Sequence, residues 1–550
     1  MMSKLLENSP IAMLVHWAHS RPDETYLRQP DGRQVRELTW GEVLDQVLRI
    51  AQALRSLELS EGDRVAIISK NCAEWFIADF AIQAAGLVSV PIFPTASSET
   101  IHYSMDHSEA KVAFVGKLDE MSAVDAGIPE DVITISMPYP TILCAYHWGD
   151  LLEQHAPLEK PAACEEKDLF SITYTSGSTG APKGVELTYG NIRSGALAAI
   201  KACNVNSMDR FISYLPLSHL FERVVIEHVS LYAGGTVSFV EILETFTEDL
   251  KDASPTIFVS VPRLWVKFYS GILAKVPQRK LDRLLNLPII SGLVRKKIRK
   301  QLGLANARIC ASGSAPMSPA LLHWFDRLGI QISEGWGMTE TSAASTLNMP
   351  YRRDKIGTIG SQLDGNEIKL SDEGEIMIRG KAVFRGYHKD PKATAGSFVD
   401  GWFRTGDRAE IDADGYYTIT GRLKDIFKTA KGKYVAPVPI ESLVFENTFV
   451  EQVCVLGAGL SQPVALVNLS PETTQGISQQ DISQSLEDTR LRINGQLEKH
   501  AQLGQIIVSA EAWTIENDFL TPTLKIRRNR IEDTFTSEMT AQDKEAVTFL

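Results

Sequence analysis

The sequence predicts an α/β protein: a large N-terminal domain of two parallel-type α/β subdomains plus a β-rich subdomain, with a small α+β C-terminal domain. Three observations carry that prediction. At 550 residues the chain is too long for one ordinary core, so a split into domains is expected. From about residue 40 to 340, β-like apolar runs alternate with helical patterns. Beyond residue 356 the pattern changes to short alternating runs punctuated by glycine.

Taken in order, Arg64–Ser69 reads as a strand before a helix at Ala73–Ala85, and Phe170–Thr175 as a strand before a helix at Ile192–Ala202. Phe211–Leu215 precedes a helical stretch after His219, and Arg308–Ser312 precedes Pro319–Leu328. Such alternation predicts parallel sheets covered by helices, with ligands at the carboxyl ends of the strands. Glu375–Arg379 and Tyr416–Thr420, set among Gly374, Gly386, Gly401, Gly406 and Gly415, form the β-rich part. After Gly421 come strands at Gln452–Leu456 and Val464–Leu469 and a helix near Ser483–Lys499, enough for a separate small domain.

Composition narrows the functional classes. The chain is 44% hydrophobic and 23% charged, as a globular protein is, and its formal charge of -12 argues against a nucleic-acid partner. Cysteines at 72, 144, 164, 203, 310 and 454 form no C-x-x-C pair and suit a reducing cytoplasm. Met1–Glu7 is polar, with no signal-peptide pattern behind it. The most apolar stretch, Phe76–Pro94, is interrupted by Asp79 and Gln83 and reads as buried core rather than a membrane span. Lys275–Lys300 concentrates basic residues among leucines and isoleucines. A solvated basic hairpin is its favoured reading, and contact with an anionic membrane surface is the alternative.

The strongest local signal is Tyr174-Thr175-Ser176-Gly177-Ser178-Thr179-Gly180-Ala181-Pro182-Lys183-Gly184-Val185. A strand ends in hydroxyls and glycines and then a lysine. Glycines let backbone N–H groups close around phosphate oxygens, hydroxyls add donors, and the lysine adds a mobile cation. Pro182 stands where a Walker-type loop needs glycine, which disfavours that class. The segment resembles the phosphate loop of the adenylate-forming superfamily, which includes acyl-CoA synthetases, luciferases and peptide-synthetase adenylation domains.

Other segments resemble further elements of that superfamily, in the same order. By the likeness of Gly335-Trp336-Gly337-Met338-Thr339-Glu340, Trp336 would lie against adenine, Thr339 near the α-phosphate, and Glu340 would bind Mg²⁺. A carboxylate beside phosphates needs a cation between them. Most members carry Tyr where Trp336 stands. Gly313-Ser314-Ala315-Pro316 matches the stretch bordering adenine, and Trp402–Asp407 the ribose element, with Asp407 accepting from ribose hydroxyls. In Gly421-Arg422-Leu423-Lys424-Asp425, Arg422 would contact ribose or phosphate, and Lys424 would be the hinge of a mobile small domain. The resemblance thus implies domains at 1–423 and 424–550. In Leu520–Arg528, Lys525 would bridge the substrate carboxylate and the α-phosphate; Leu524 replaces the usual glycine, as is familiar in the long-chain acyl-CoA synthetase branch. The face including Lys431–Tyr434 would serve the second half-reaction.

Leu215-Pro216-Leu217-Ser218-His219-Leu220-Phe221-Glu222-Arg223 resembles an element of long-chain acyl-CoA synthetases, which implies His219 beside the acyl-adenylate carbonyl. Among the apolar residues that follow, Val224, Val225, Ile226, Val229 and Leu231, tunnel lining and core packing both remain open, with packing favoured for most. The resemblance implies activation of a fatty acid with ATP, then thioester formation with CoA. Rival readings are a fatty acyl-AMP ligase loading a carrier protein, a ligase for another hydrophobic or aryl acid, and a non-enzymatic acyl- or nucleotide-binding protein.

Overall fold

The computed structural model describes residues 9–32, 34–175, 182–515, 517–521, 525–540 and 545–550. An eight-stranded sheet runs in the order Gly386–Tyr387, Lys183–Thr188, Leu169–Thr175, Val88–Ile92, Arg64–Ile68, Ala110–Val115, Ile133–Ser136 and Tyr146–His147. From Leu169–Thr175 onward its neighbours pair in parallel. A second sheet joins Arg210–Ser213, Thr236–Phe239, Thr25–Asp31 and Gln34–Thr39. A third joins Ile257–Ser260, Ile309–Ser312 and Ile332–Trp336 in parallel, then Thr346–Leu347 and Ser361–Gln362 antiparallel. The sheets are therefore mixed rather than purely parallel. The expected strand–helix unit at Phe170–Ala202 contains an extra strand, Lys183–Thr188, antiparallel to Leu169–Thr175. Its alternation, with Val185 and Leu187 buried and Lys183 exposed, is that of a strand with one face on the core.

Local chemistry sets the helices. Thr39 and Glu42 form a reciprocal capping box at the start of Trp40–Ser56, and Thr188 and Asn191 do the same for Tyr189–Cys203. Ala73–Ala85 ends at Gly86 with φ of 81°, a left-handed conformation natural to glycine. Every residue of Ala73–Ala85 is buried, as the reading of Phe76–Pro94 as core expects, and its polar residues find partners. Glu74 pairs with Arg36 and accepts from Tyr139, and Asp79 pairs with the fully buried Arg223 and accepts from Gln83. Removing one member of a buried pair of this kind costs about 3–5 kcal/mol, because the survivor is stranded without water. No described helix is long and apolar enough to cross a membrane.

The β-rich part is an antiparallel sheet of Asn366–Leu370, Glu375–Gly380, Trp402–Ile411 and Phe398–Val399, with Tyr417–Arg422 paired to Trp402–Ile411. Beyond it, the hairpin Phe427–Lys428/Tyr434–Val435 leads into a four-stranded sheet. That sheet comprises Val450–Leu456, Val464–Leu469, Gln505–Val508 and Val547–Phe549, with Gln479–Asn494 packed on one face. The other face buries Trp513, Phe519, Ile531 and Phe535 in a separate apolar cluster. The C-terminal region therefore has cores of its own.

Candidate active site

A cavity of about 2140 Å³ is lined by Thr175, Lys183, His219, Gly313–Ala315, Trp336, Gly337, Thr339, Glu340, Asp407, Arg422, Lys424 and Lys525, the described residues to which the resemblance gives a catalytic, nucleotide-binding or hinge role. Ser176, Gly177, Ser178, Thr179 and Gly180 lie outside the described residues. Their flanks are paired: Thr175 ends one strand opposite Lys183, the first residue of the next. The Lys183 ammonium sits 4.7 Å from the centroid of the Tyr387 ring. The Tyr387 hydroxyl donates to Glu340 Oε1 at 3.0 Å, linking the cation of the loop to the buried carboxylate. Burial and the Glu340 charge both push the Tyr387 hydroxyl pKa up, so it remains a donor. The sequence does not single Tyr387 out as a site residue. Its strand partners Lys183–Thr188 through Tyr387↔Val185, a pairing that no local spacing announces.

Thr339 and Glu340 occupy a single 3₁₀ turn directly after the strand Ile332–Trp336. The chain then doubles back through Ser342 and Ala343, both with positive φ. A Cβ at Gly337 would lie 2.1 Å from the Ala343 carbonyl oxygen, so only glycine fits there. A carboxylate facing a cavity that also presents hydroxyls offers oxygen ligands of the kind a Mg²⁺ ion takes together with phosphate oxygens and water.

Elsewhere on the cavity wall, the Trp336 indole N–H donates to Asp407 Oδ2 at 2.9 Å, and Arg422 Nε donates to Asp407 Oδ1 at 2.7 Å. Asp407 and Arg422 are cross-strand partners, which explains the second contact. Each carboxylate oxygen keeps a further lone pair for a hydroxyl. Gly313, Ser314 and Ala315 follow the strand Ile309–Ser312, with Ser314 at a φ of 69°.

His219 caps a short helical start, its Nδ1 accepting from the Phe221 N–H at 3.2 Å, so the neutral ring carries its proton on Nε2. Burial, reinforced by the Lys525 charge, pushes the His219 pKa down to about 3, so the ring is neutral at physiological pH. Glu222, one turn on, is buried and accepts from the Tyr214 N–H at 2.9 Å. Burial pushes its pKa up to about 8, against the hydrogen bonds it accepts.

Lys525 projects into the same cavity from the C-terminal region. It keeps solvent contact through the open cleft although protein surrounds it on most sides. The Lys525 N–H donates to Thr521 Oγ1 at 3.1 Å, and the Thr521 N–H returns a bond to the Lys525 carbonyl at 2.8 Å, closing a tight turn. Burial first and the Arg422 charge second lower the pKa of Lys525, while Asp407 and Glu340 oppose them. Four groups that the sequence separates widely thus share one electrostatic environment. Lys424 is exposed at the cavity wall, immediately after the strand that ends in Arg422.

Part of the cavity lining is apolar. Val225 and Val229 belong to it together with Phe211, Val259, Ala311 and Ala344, whereas Val224, Ile226 and Leu231 are buried core.

Comparison with known proteins agrees with this geometry. The family model described as "AMP-binding enzyme" matches residues 14–388, and "AMP-binding enzyme C-terminal domain" matches 424–544. The chain is 31% identical to the long-chain-fatty-acid–CoA ligase FadD15 of Mycobacterium bovis, over 97% of each chain. It is also 31% identical to the human long-chain-fatty-acid–CoA ligase 1, over 90% of this chain and 81% of the human one. The anthranilate CoA ligase AuaEII, solved with anthranoyl-AMP, superposes with a TM-score of 0.80 at 22% identity, over 98% of this chain and 100% of that one. That likeness speaks for the fold alone. With family models matched across both its large and small parts and full-length relatives of this kind, the chain belongs to the AMP-binding enzyme family, in the branch of the long-chain-fatty-acid–CoA ligases.

Proposed function

We propose that this protein activates a fatty acid with ATP to an acyl-adenylate, releasing pyrophosphate, and then transfers the acyl group to CoA. The observation that carries the reading is one cavity shared by Lys183, Glu340, Asp407, Arg422, Lys525 and His219, whose lining also includes the apolar Val225, Val229, Phe211 and Val259. The apolar lining supports an aliphatic acid, and the cations support a polyphosphate. The full-length relatives named as long-chain-fatty-acid–CoA ligases support the same acid class.

A carboxylate is repelled by ATP, so the enzyme must screen phosphate charge and hold the carboxylate oxygen in line with the α-phosphorus. Lys183 and Lys525 supply positive charge on two sides, and Asp407 holds the ribose with Trp336 over the base. Glu340, steadied by the Tyr387 hydroxyl, would hold Mg²⁺, which supplies charge neutralisation between phosphate oxygens. The carboxylate oxygen bonds to phosphorus as the bond to pyrophosphate breaks. His219 donates its Nε2 proton in a hydrogen bond to the acyl carbonyl without transferring it. In the second step the CoA sulfur bonds to the acyl carbon and AMP leaves, with the small domain, residues 424–550, turned about Lys424. The reading places the protein in the cytoplasm, in peripheral contact with the inner membrane surface.

Pyrophosphate exchange measured across acids, followed by addition of CoA or a carrier protein, tests the proposal. Exchange that depends on fatty acids of medium or long chain and gives acyl-CoA is expected. Exchange without a CoA thioester would favour a fatty acyl-AMP ligase, preference for aromatic acids an aryl-acid ligase, and no exchange a binding protein.

A further inference from the structure

Helices Gln278–Leu285 and Pro288–Gln301 form a hairpin whose chemistry the site does not use. Between Lys275 and Lys300 the sequence holds nine lysines and arginines against a single acid, Asp282, in a chain whose formal charge is -12. The hairpin is firmly rooted. Leu281 and Ile298 are buried in a cluster with Trp265 and Phe325, Asp282 pairs with Arg327 at 2.6 Å, and the Trp324 indole donates to Gln278 at 2.9 Å.

Its tip is the reverse of a solvated surface. Leu287, Ile289, Ile290 and Leu293 are 47%, 86%, 39% and 66% exposed. Apart from the adjacent Ile242 and Leu243, the other exposed aliphatics among the described residues are scattered singly, which needs no explanation, but four within seven residues form a patch. On Pro288–Gln301 the spacing Ile289, Leu293, Lys296, Lys297, Lys300 keeps one face outward, apolar at the tip and cationic behind it. At 1.5 Å per residue, Lys296 lies about 10 Å along the axis from Ile289. That matches the depth to which interfacial helices bury apolar residues below lipid headgroups. Arg279, Lys280 and Arg283 are likewise exposed on the neighbouring helix.

Peripheral membrane contact belongs to the reading above, and we propose that this hairpin is its docking element: Leu287–Leu293 insert among the acyl chains of an anionic bilayer while Lys296, Lys297 and Lys300 meet its headgroups. Because the rest of the chain is net negative, an anionic surface favours approach through the hairpin, so docking orients the molecule. Gln278, the first residue of the hairpin, lines the site cavity beside Tyr269 and Trp324, so the docked element and the cavity share a wall. A nucleic-acid face would need the cations but not the exposed aliphatics.

Co-sedimentation of the full chain with vesicles, in the absence of ATP and acid, tests the assignment. Binding to phosphatidylcholine vesicles containing phosphatidylglycerol is expected, with little binding to phosphatidylcholine alone and loss in high salt. The exposed-site variants I289E/L293E and K296E/K297E should each lower partitioning at least about tenfold. Their thermal midpoints, and pyrophosphate exchange with a water-soluble acid, should stay unchanged. No vesicle binding by the unmodified chain overturns membrane docking, and equal binding by the variants overturns the hairpin as its site. Equal partitioning onto neutral and anionic vesicles overturns the role of the lysines. None of these outcomes touches the catalytic reading, which the exchange assay tests separately.

Discussion

Lys525 is held in a contest of charges. Burial and Arg422 disfavour its ammonium form, and Asp407 and Glu340 favour it. On the proposed reading an incoming triphosphate settles that contest toward the cation. Replacing Lys525 with alanine should lower adenylation by about 10²–10³-fold, the scale of losing one preorganised charge donor. Thiolysis of a supplied acyl-adenylate should survive far better, and equal loss of both half-reactions in a folded variant would remove Lys525 from the role. Tyr387 offers a second test, because its hydroxyl occupies Glu340 Oε1 and its ring faces Lys183. Tyr387→Phe keeps the ring and deletes the bond. The Mg²⁺ concentration giving half-maximal exchange should rise several-fold, on the scale of one charge-assisted hydrogen bond. An unchanged Mg²⁺ dependence would reduce Tyr387 to packing. The sequence marked Glu340 and Lys183 through their motifs. It did not show that Tyr387 links them, since a contact over 47 residues leaves no local pattern.

Among the elements, the helical run from Leu220 to Ala233 shows where periodicity stops informing. A π-helical stretch at Arg223–His228 advances the register within it. Val225 and Val229 face the cavity, while Val224, Ile226 and Leu231 pack inward. Both faces are apolar, so no hydrophobic period separates lining from core. The run is tied down by the Arg223–Asp79 pair and by Glu222, which accepts from Tyr214. Glu222 titrates near 8 when folded and near the usual carboxylate value, about 4.3, when unfolded. Between those values the folded state binds the extra proton, so rising pH removes stability progressively across about pH 4.3–8. Glu222→Gln should flatten that part of the stability–pH curve while keeping an acceptor for the Tyr214 N–H. Denaturant unfolding at pH 5 and pH 8 reads the difference, and parallel curves for the two proteins would refute the assignment.

At the scale of the whole molecule, the C-terminal region reaches the large part through few bonds. Arg263 pairs with Glu451, and the Ser318 hydroxyl donates to Glu446 at 3.1 Å. The first is a largely exposed ion pair, worth little, and the second a single part-buried hydrogen bond of about 1 kcal/mol, so a rotation can break both at small cost. Lys424 lies at the junction, and among the described residues its N–H donates to no acceptor. Lys424→Pro therefore costs no hydrogen bond in this arrangement but stiffens the backbone. Acyl-adenylate formation should be nearly unchanged and thioester formation slowed at least about tenfold, as gating by a conformational step requires. Single-turnover measurements of each half-reaction distinguish this from a simple loss of folding, which would depress both.

The sequence by itself determined much of the local structure: Val464–Leu469 is an apolar run of strand length, and Ala73–Ala85 stops at Gly86, which takes the left-handed conformation that ends a helix. It also marked segments that the fold brings to one cavity, because glycines, hydroxyls and lysines at fixed spacing are local properties. Only the tertiary structure decided that Lys183–Thr188 turns back antiparallel, that Asp407 receives Trp336 and Arg422, and that Lys525 enters the cavity of Thr175 and Glu340. Those are contacts between segments far apart in the chain, fixed by how sheets and domains pack, and the packing free energy is shared among many residues rather than written in any one motif.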